Sequence, residues 1–231
     1  MLDVRTLFVV MIATCLLLAA SMAVAVSFRF RDGVGKWTVS LVLQSVMFVL
    51  FLSRGFWPDA VSVIVPNALL TLCLSLQAAA ILEFYHRKLP IWWHIVPPLG
   101  IVVLFSFLMD NLSARVLVTG ICFGGGMLAC GLLLQRFHGN HDRPARMMLM
   151  AGYLLAALML FVRAVAMGID RSVLKDFVTP TTLQGITFLT AFAVILLTSV
   201  GFLLLHKERA EESAQQLALT DPLTGTFNRR T

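Results

Sequence analysis

Long apolar runs broken by short charged clusters set the pattern of this chain. Charge-free intervals cover 6–28, 37–53, 60–82, 89–109 and 116–135, and a sixth interval, 147–169, holds a single charge, Arg163. The uncharged stretch 177–206 predicts a last helix from near Leu183 to Leu205. Each interval approximates the roughly 20 residues a helix needs to cross about 30 Å of hydrocarbon. The runs are continuously apolar rather than alternating, so they predict helices and not a membrane β-barrel, because lipid satisfies no exposed backbone group. The expected fold is all-α: a polytopic bundle of seven transmembrane helices over residues 1–205.

The second interval is the shortest, and Trp37 and Trp57 bracket it as interfacial aromatics do. Trp92 and Trp93 stand in the same way at the start of the fourth. An odd number of spans puts the termini on opposite sides. One set of connections holds Arg29, Arg31, Lys36, Arg87, Lys88, Arg136, Arg143, Arg146, Lys207 and Arg209; the other holds Arg5, Arg54, Arg171 and Lys175. The richer set belongs inside, which places the N-terminus outside and the C-terminus in the cytoplasm. Ala23-Val24-Ala25 resembles a signal-peptide cleavage site, but the run before it is long and Asp3 accompanies Arg5 ahead of it. Cleavage there would also send the basic segment Arg29–Lys36 outside, so an uncleaved first helix is expected.

Composition agrees with this pattern. With 59% apolar and 13% charged residues the chain is unlike a soluble domain, a disordered segment, a coiled-coil rod or a disulfide scaffold. Its net charge of +6 is spread between the apolar runs and forms no patch, which argues for membrane loops and against nucleic acid as a partner. Cys15, Cys73, Cys122 and Cys130 all lie inside apolar runs, where they act as small hydrophobes.

Within the spans, Arg163 is the costliest residue, since an intramembrane arginine is seldom kept without a partner. It lies nearer the outer end, at a depth similar to Arg115, Asp110, Asp170 and Asp176. Asp110, Arg115, Arg163 and Asp170 are therefore candidates to line an outward-facing signal pocket for an anion or small molecule. The alternative is that Arg163 snorkels, or pairs with Asp110, to hold the bundle. Gly120 and Gly124 have the spacing that lets two helices approach closely, either within the bundle or between two copies. Gln44, Asn67, Gln77 and Gln184 suit interhelical hydrogen bonds, and Pro66, Pro97 and Pro98 suit helix kinks. No internal repeat of the kind found in transporters is visible.

Cofactor chemistry finds little support. His86 and His94 fall at the cytoplasmic interface and His206 in the tail, so no facing pair exists for haem. His138, His141 and Asp142 sit in a basic connection that reads as a solvated loop and not a zinc site. The last span has no lysine for a retinal Schiff base, and no metal site or catalytic constellation is expected in these residues.

After Leu205 the composition changes to a polar, helix-favouring stretch, 206–219, free of glycine and proline. Leu203, Ala210 and Leu217 recur at seven-residue intervals, and the stretch predicts a short cytoplasmic helical stalk. Pro222 and Gly225 end it near Thr220. Then comes Thr220-Asp221-Pro222-Leu223-Thr224-Gly225-Thr226-Phe227-Asn228-Arg229-Arg230. This string resembles the opening signature of GGDEF-domain diguanylate cyclases, Asp-x-Leu-Thr-Gly-x-x-Asn-Arg-Arg, with every fixed letter present. Thr226 replaces the more usual leucine or alanine.

The resemblance implies that residues 220–231 open a GGDEF domain. Asp221, Leu223, Thr224, Asn228 and Arg229 match the family's linker turn, where an aspartate-to-arginine contact fixes the catalytic domain on its stalk. The Gly-Gly-(Asp/Glu)-Glu-Phe loop and the residues that hold Mg and GTP belong further on in that family, so these residues do not make cyclic di-GMP and carry no cofactor themselves. The expectation is a sensory input module of a bacterial inner-membrane cyclase, acting as a homodimer in lipid on a signal the sequence does not name. The other reading is a seven-helix transporter or channel, which substrate flux in proteoliposomes would reveal.

Overall fold

The computed structural model describes residues 3–25, 32–58, 60–137, 143–169 and 181–219, and all its regular structure is helical. Helix α1 is Val4–Ala25. Asp3 caps it, accepting hydrogen bonds from the Thr6 hydroxyl at 2.8 Å and the Thr6 N–H at 3.2 Å. Helix α2, Val34–Leu52, starts after Gly33 at φ +88°. A Cβ there would sit 2.3 Å from the Ala80 carbonyl oxygen, so glycine alone permits both the left-handed turn and the close approach.

A π-helical turn, Ala60–Ile64, leads into α3, Val65–Phe84. Pro66 brings no N–H to the helical ladder, and the Asn67 side chain donates to the Val63 carbonyl at 2.7 Å. A 3-10 turn, Ile91–His94, precedes α4, Val96–Phe107. Asn111 caps α5, Leu112–Thr119, by accepting from the Ala114 N–H at 3.0 Å. A second π-helical turn, Gly120–Gly124, joins α5 to α6, Gly125–Gln135. Helix α7 is Arg143–Ile169 and α8 is Thr182–Leu219.

Six of these helical stretches are long and apolar enough to cross a membrane: Val4–Val24, Val34–Leu52, Ala60–Phe84, Leu112–Gln135, Pro144–Ile169 and Thr182–Gln215. The chain is a multi-pass membrane helix bundle. The interval 89–109, read from sequence as a full span, differs: it gives the shorter apolar helix Ile91–Phe107. Proline is the reason. Pro90 precedes the 3-10 turn, and Pro97 lies in the first turn of α4, where its missing N–H does no harm but the ladder cannot extend backwards.

The long helices close into a ring, α1 on α2, α2 on α3, α3 on α6, α6 on α7, α7 on α8, and α8 back on α1. Helix α4 lies against α3 and the first π-turn. Small residues let α7 and α8 touch: a Cβ on Gly152 would meet Thr198 Cγ2 at 2.7 Å, and one on Gly201 would meet the Leu149 backbone nitrogen at 3.0 Å.

Trp37 is no interfacial anchor. It is 0% exposed and stacks on Phe202 of α8 with ring centroids 4.2 Å apart, its Nε1 donating to Ser199 Oγ at 3.4 Å. Position in the chain suggested a boundary, but the helix turns this face inward. Trp57, Trp92 and Trp93 are exposed as expected. Beyond the apolar residues α8 runs on without a break to Leu219.

Candidate functional site

The ring encloses a cavity of about 210 Å³. Arg54, Arg115 and Arg163 line one end of it, and Gln77, Tyr153 and Thr198 line the other. Arg163 and Tyr153 are ten residues apart on α7, so the cavity is about 15 Å deep at 1.5 Å per residue. Arg54 and Arg115 are partly exposed, whereas Gln77 and Tyr153 are 5% and 0% exposed, so the arginine end is the mouth. The walls between are mostly apolar, with Met47, Phe48, Phe51, Leu160 and Phe188 among them, interrupted by Asn67, Thr187 and Thr190.

Local sequence explains why the arginines meet. Gly120 packs against α7 so tightly that a Cβ would lie 2.4 Å from Ala164 Cβ and 3.1 Å from the Leu160 carbonyl oxygen. Gly124 lies under the Phe161 ring, at 3.0 Å by the same measure. Both glycines therefore face α7 of the same chain. With the contact fixed at Gly120 and Ala164, Arg115 stands one to two turns from it and Arg163 beside it, on the cavity side. Burying Arg163, 8% exposed, costs about 2.5 to 3.5 kcal/mol on insertion scales, so its place in this wall needs a compensating gain.

Both π-helical turns border the mouth, through Val63 in the first and Thr119 just before the second. Such turns shift the register of a helix and re-aim its side chains. The floor holds a polar contact between helices: the Tyr153 hydroxyl donates to Gln77 Oε1 at 3.1 Å. Gln44 also lines the cavity, and its Oε1 lies 3.8 Å from the Cys15 thiol.

The sequence expectations fare unevenly. Arg115 and Arg163 share the cavity, but Asp110 is exposed and lies outside its lining. Asp170 and Asp176 fall outside the described residues, as do His138, His141 and Asp142 and the turn residues Asp221, Leu223, Thr224, Asn228 and Arg229. Gln77 and Gln44 meet residues of neighbouring helices, whereas Asn67 bonds to its own helix. Arg54, Tyr153 and Gly152 were not singled out from sequence. Arg54 looked like an ordinary connecting arginine, and Tyr153 an ordinary apolar-run aromatic. Among the described residues no three His, Cys, Asp or Glu side chains converge. The three buried cysteines, Cys15, Cys73 and Cys130, are free thiols within the bundle.

No protein family, curated protein or solved structure matches the chain. The cavity therefore speaks through its own chemistry: guanidinium groups at the mouth, a mostly apolar shaft, and a hydrogen-bonded floor.

Proposed function

We propose that this chain is the membrane-embedded sensory input module of a diguanylate cyclase. The observation that carries the reading is the string Thr220–Arg230, in which every fixed letter of a GGDEF opening follows a polar helical segment. The unbroken course of α8 from Thr182 to Leu219 supports it, because a continuous helix carries movement out of the bilayer without a flexible joint. On this reading residues 206–219 are a cytoplasmic stalk, and 220–231 begin the output domain.

The proposed arrangement has seven crossings, with Ile91–Phe107 as the seventh. Its 17 residues reach at most about 27 Å, near the lower limit for a span. The charge asymmetry between connections supports an outside N-terminus and a cytoplasmic C-terminus in a bacterial inner membrane. The cavity mouth then faces outward, where a signal arrives. Occupancy shifts α8, which contributes Thr187, Phe188 and Thr198 to the lining, and the stalk re-orients two output domains in a homodimer.

Reading the gene past the codon for Thr231 tests this. The expected result is an open frame into a domain with a Gly-Gly-(Asp/Glu)-Glu-Phe loop. A stop, or an unrelated domain, overturns the proposal.

A further inference from the structure

We infer that the closed end of the cavity binds a neutral carbonyl compound with an apolar body the size of an aryl ketone, its carbonyl oxygen accepting from the side-chain amides of Gln44 and Gln77. The inference gives a ligand class to the sensory reading and rests on it for its biological meaning.

Hydrogen-bond accounting is the first argument. Gln44 of α2 and Gln77 of α3 stand on neighbouring helices, line the cavity and are 9% and 5% exposed. Each uses only its oxygen within the bundle: the Cys15 thiol lies 3.8 Å from Gln44 Oε1, and the Tyr153 hydroxyl donates to Gln77 Oε1 at 3.1 Å. Among the described residues nothing accepts from either Nε2, and neither nitrogen is sealed within the packing, so both open onto the cavity. A buried amide without a partner is costly, so two such donors at one end of a cavity call for an acceptor there.

The chemistry of that end is the second. The Thr198 hydroxyl donates to the Val194 carbonyl at 2.7 Å, and the hydrogen of Tyr153 is taken by Gln77, so the free donors are the two amides. A carbonyl oxygen carries two lone pairs and takes two N–H donors at once, whereas a hydrocarbon takes none. Gln44, Gln77, Tyr153 and Thr198 are neutral side chains and supply no counter-charge, so an ion carried to this depth would lose its hydration without compensation.

Size and wall chemistry are the third. The volume of about 210 Å³ exceeds the roughly 150 Å³ that admits a benzene molecule, leaving room for a ring and a short polar substituent. The rings of Phe48, Phe51 and Phe188 and the thioethers of Met47 and Met159 give the walls polarizable faces that suit a flat apolar body.

The test is thermal stabilisation of the 231-residue chain in nanodiscs of zwitterionic lipid by three probes of nearly equal shape, compared at equal concentration in the lipid. Acetophenone carries the carbonyl, cumene replaces its oxygen with a methyl group, and benzoate adds a charge. Acetophenone is expected to raise the melting temperature saturably, with cumene and benzoate at least about tenfold weaker. Gln44→Leu removes one donor and is expected to weaken acetophenone binding by about three- to tenfold while leaving cumene unchanged. Where that variant fails to fold, the double variant Tyr153→Phe with Gln77→Leu, which strands no partner, gives the same direction. Cumene as effective as acetophenone overturns the proposal and assigns the amides to water. Benzoate as the stronger ligand overturns it in favour of an anion site, and acetophenone binding that is absent, or unchanged in these variants, overturns it outright. None of these readouts uses an output domain, so failure here leaves the sensory reading standing, and failure of that reading leaves the binding result intact.

Discussion

Tyr153 of α7 donates a hydrogen bond to Gln77 of α3 across the floor of the cavity, at 3.1 Å and with both side chains buried. The pair joins two helices that are far apart in sequence and closes the shaft below the arginines. Gln44 and Thr198 line the same end of the cavity.

Tyr153→Phe removes the donor and leaves the buried Gln77 Oε1 without it. The expected cost is about 0.6 to 2 kcal/mol, measured by reversible unfolding in mixed micelles. The double change with Gln77→Leu should recover part of that loss, because no polar group is then stranded. Additive losses in the two variants would mean that the bond contributes nothing.

Gly120→Ala should be destabilising, and by more than any other single glycine change in the same stretch. Its new methyl would fall 2.4 Å from Ala164 Cβ, with the helix backbone behind it, and overpacking of this kind costs about 1 to 3 kcal/mol. Gly125→Ala is the control, since nothing lies within 4 Å of its Cβ position. Equal melting temperatures for the two variants would contradict the packing account.

The arrangement of helices was largely legible in the sequence; the interior was not. Charge-free intervals located six membrane-length helices, since hydrophobic length is written directly in composition. The interval 89–109 gives the shorter apolar helix Ile91–Phe107, because hydropathy ignores backbone chemistry and Pro90, Pro97 and Pro98 keep the α-helix from starting before Val96. Arg163 and Arg115 stood out as charges in apolar surroundings, but their company did not. Arg54 and Asp110 lie in the connections after α2 and α4, where no periodicity in the sequence tells which way a side chain points. Trp37 failed as an anchor because a helix apolar on all sides has no period from which its rotation can be read.

Topology gives a separate prediction. In a background with Cys15, Cys73, Cys122 and Cys130 changed to Ala, single cysteines at Arg5 and Lys207 should label with membrane-impermeant reagent from opposite faces. Labelling from the same face would reduce the chain to six crossings and make Ile91–Phe107 a segment that does not traverse the bilayer.

The proposed stalk predicts a helical phase. Inserting one to four residues between Ala210 and Leu217 of the full-length protein rotates everything beyond by about 100° per residue. Cyclic di-GMP output should rise and fall with that rotation and return toward its starting level near a full turn. A monotonic decline with insertion length would point to a flexible tether.

On the proposed reading this bundle governs cyclic di-GMP synthesis. The most direct measurement is cyclic di-GMP formation from GTP by membranes carrying the product of the complete reading frame, as wild type and as Arg163→Gln. Synthesis by the wild type is expected, with an altered rate in Arg163→Gln at equal protein level, since that residue lines the cavity and lies outside the proposed output domain. Absence of cyclic di-GMP, or a rate indifferent to Arg163, would contradict it.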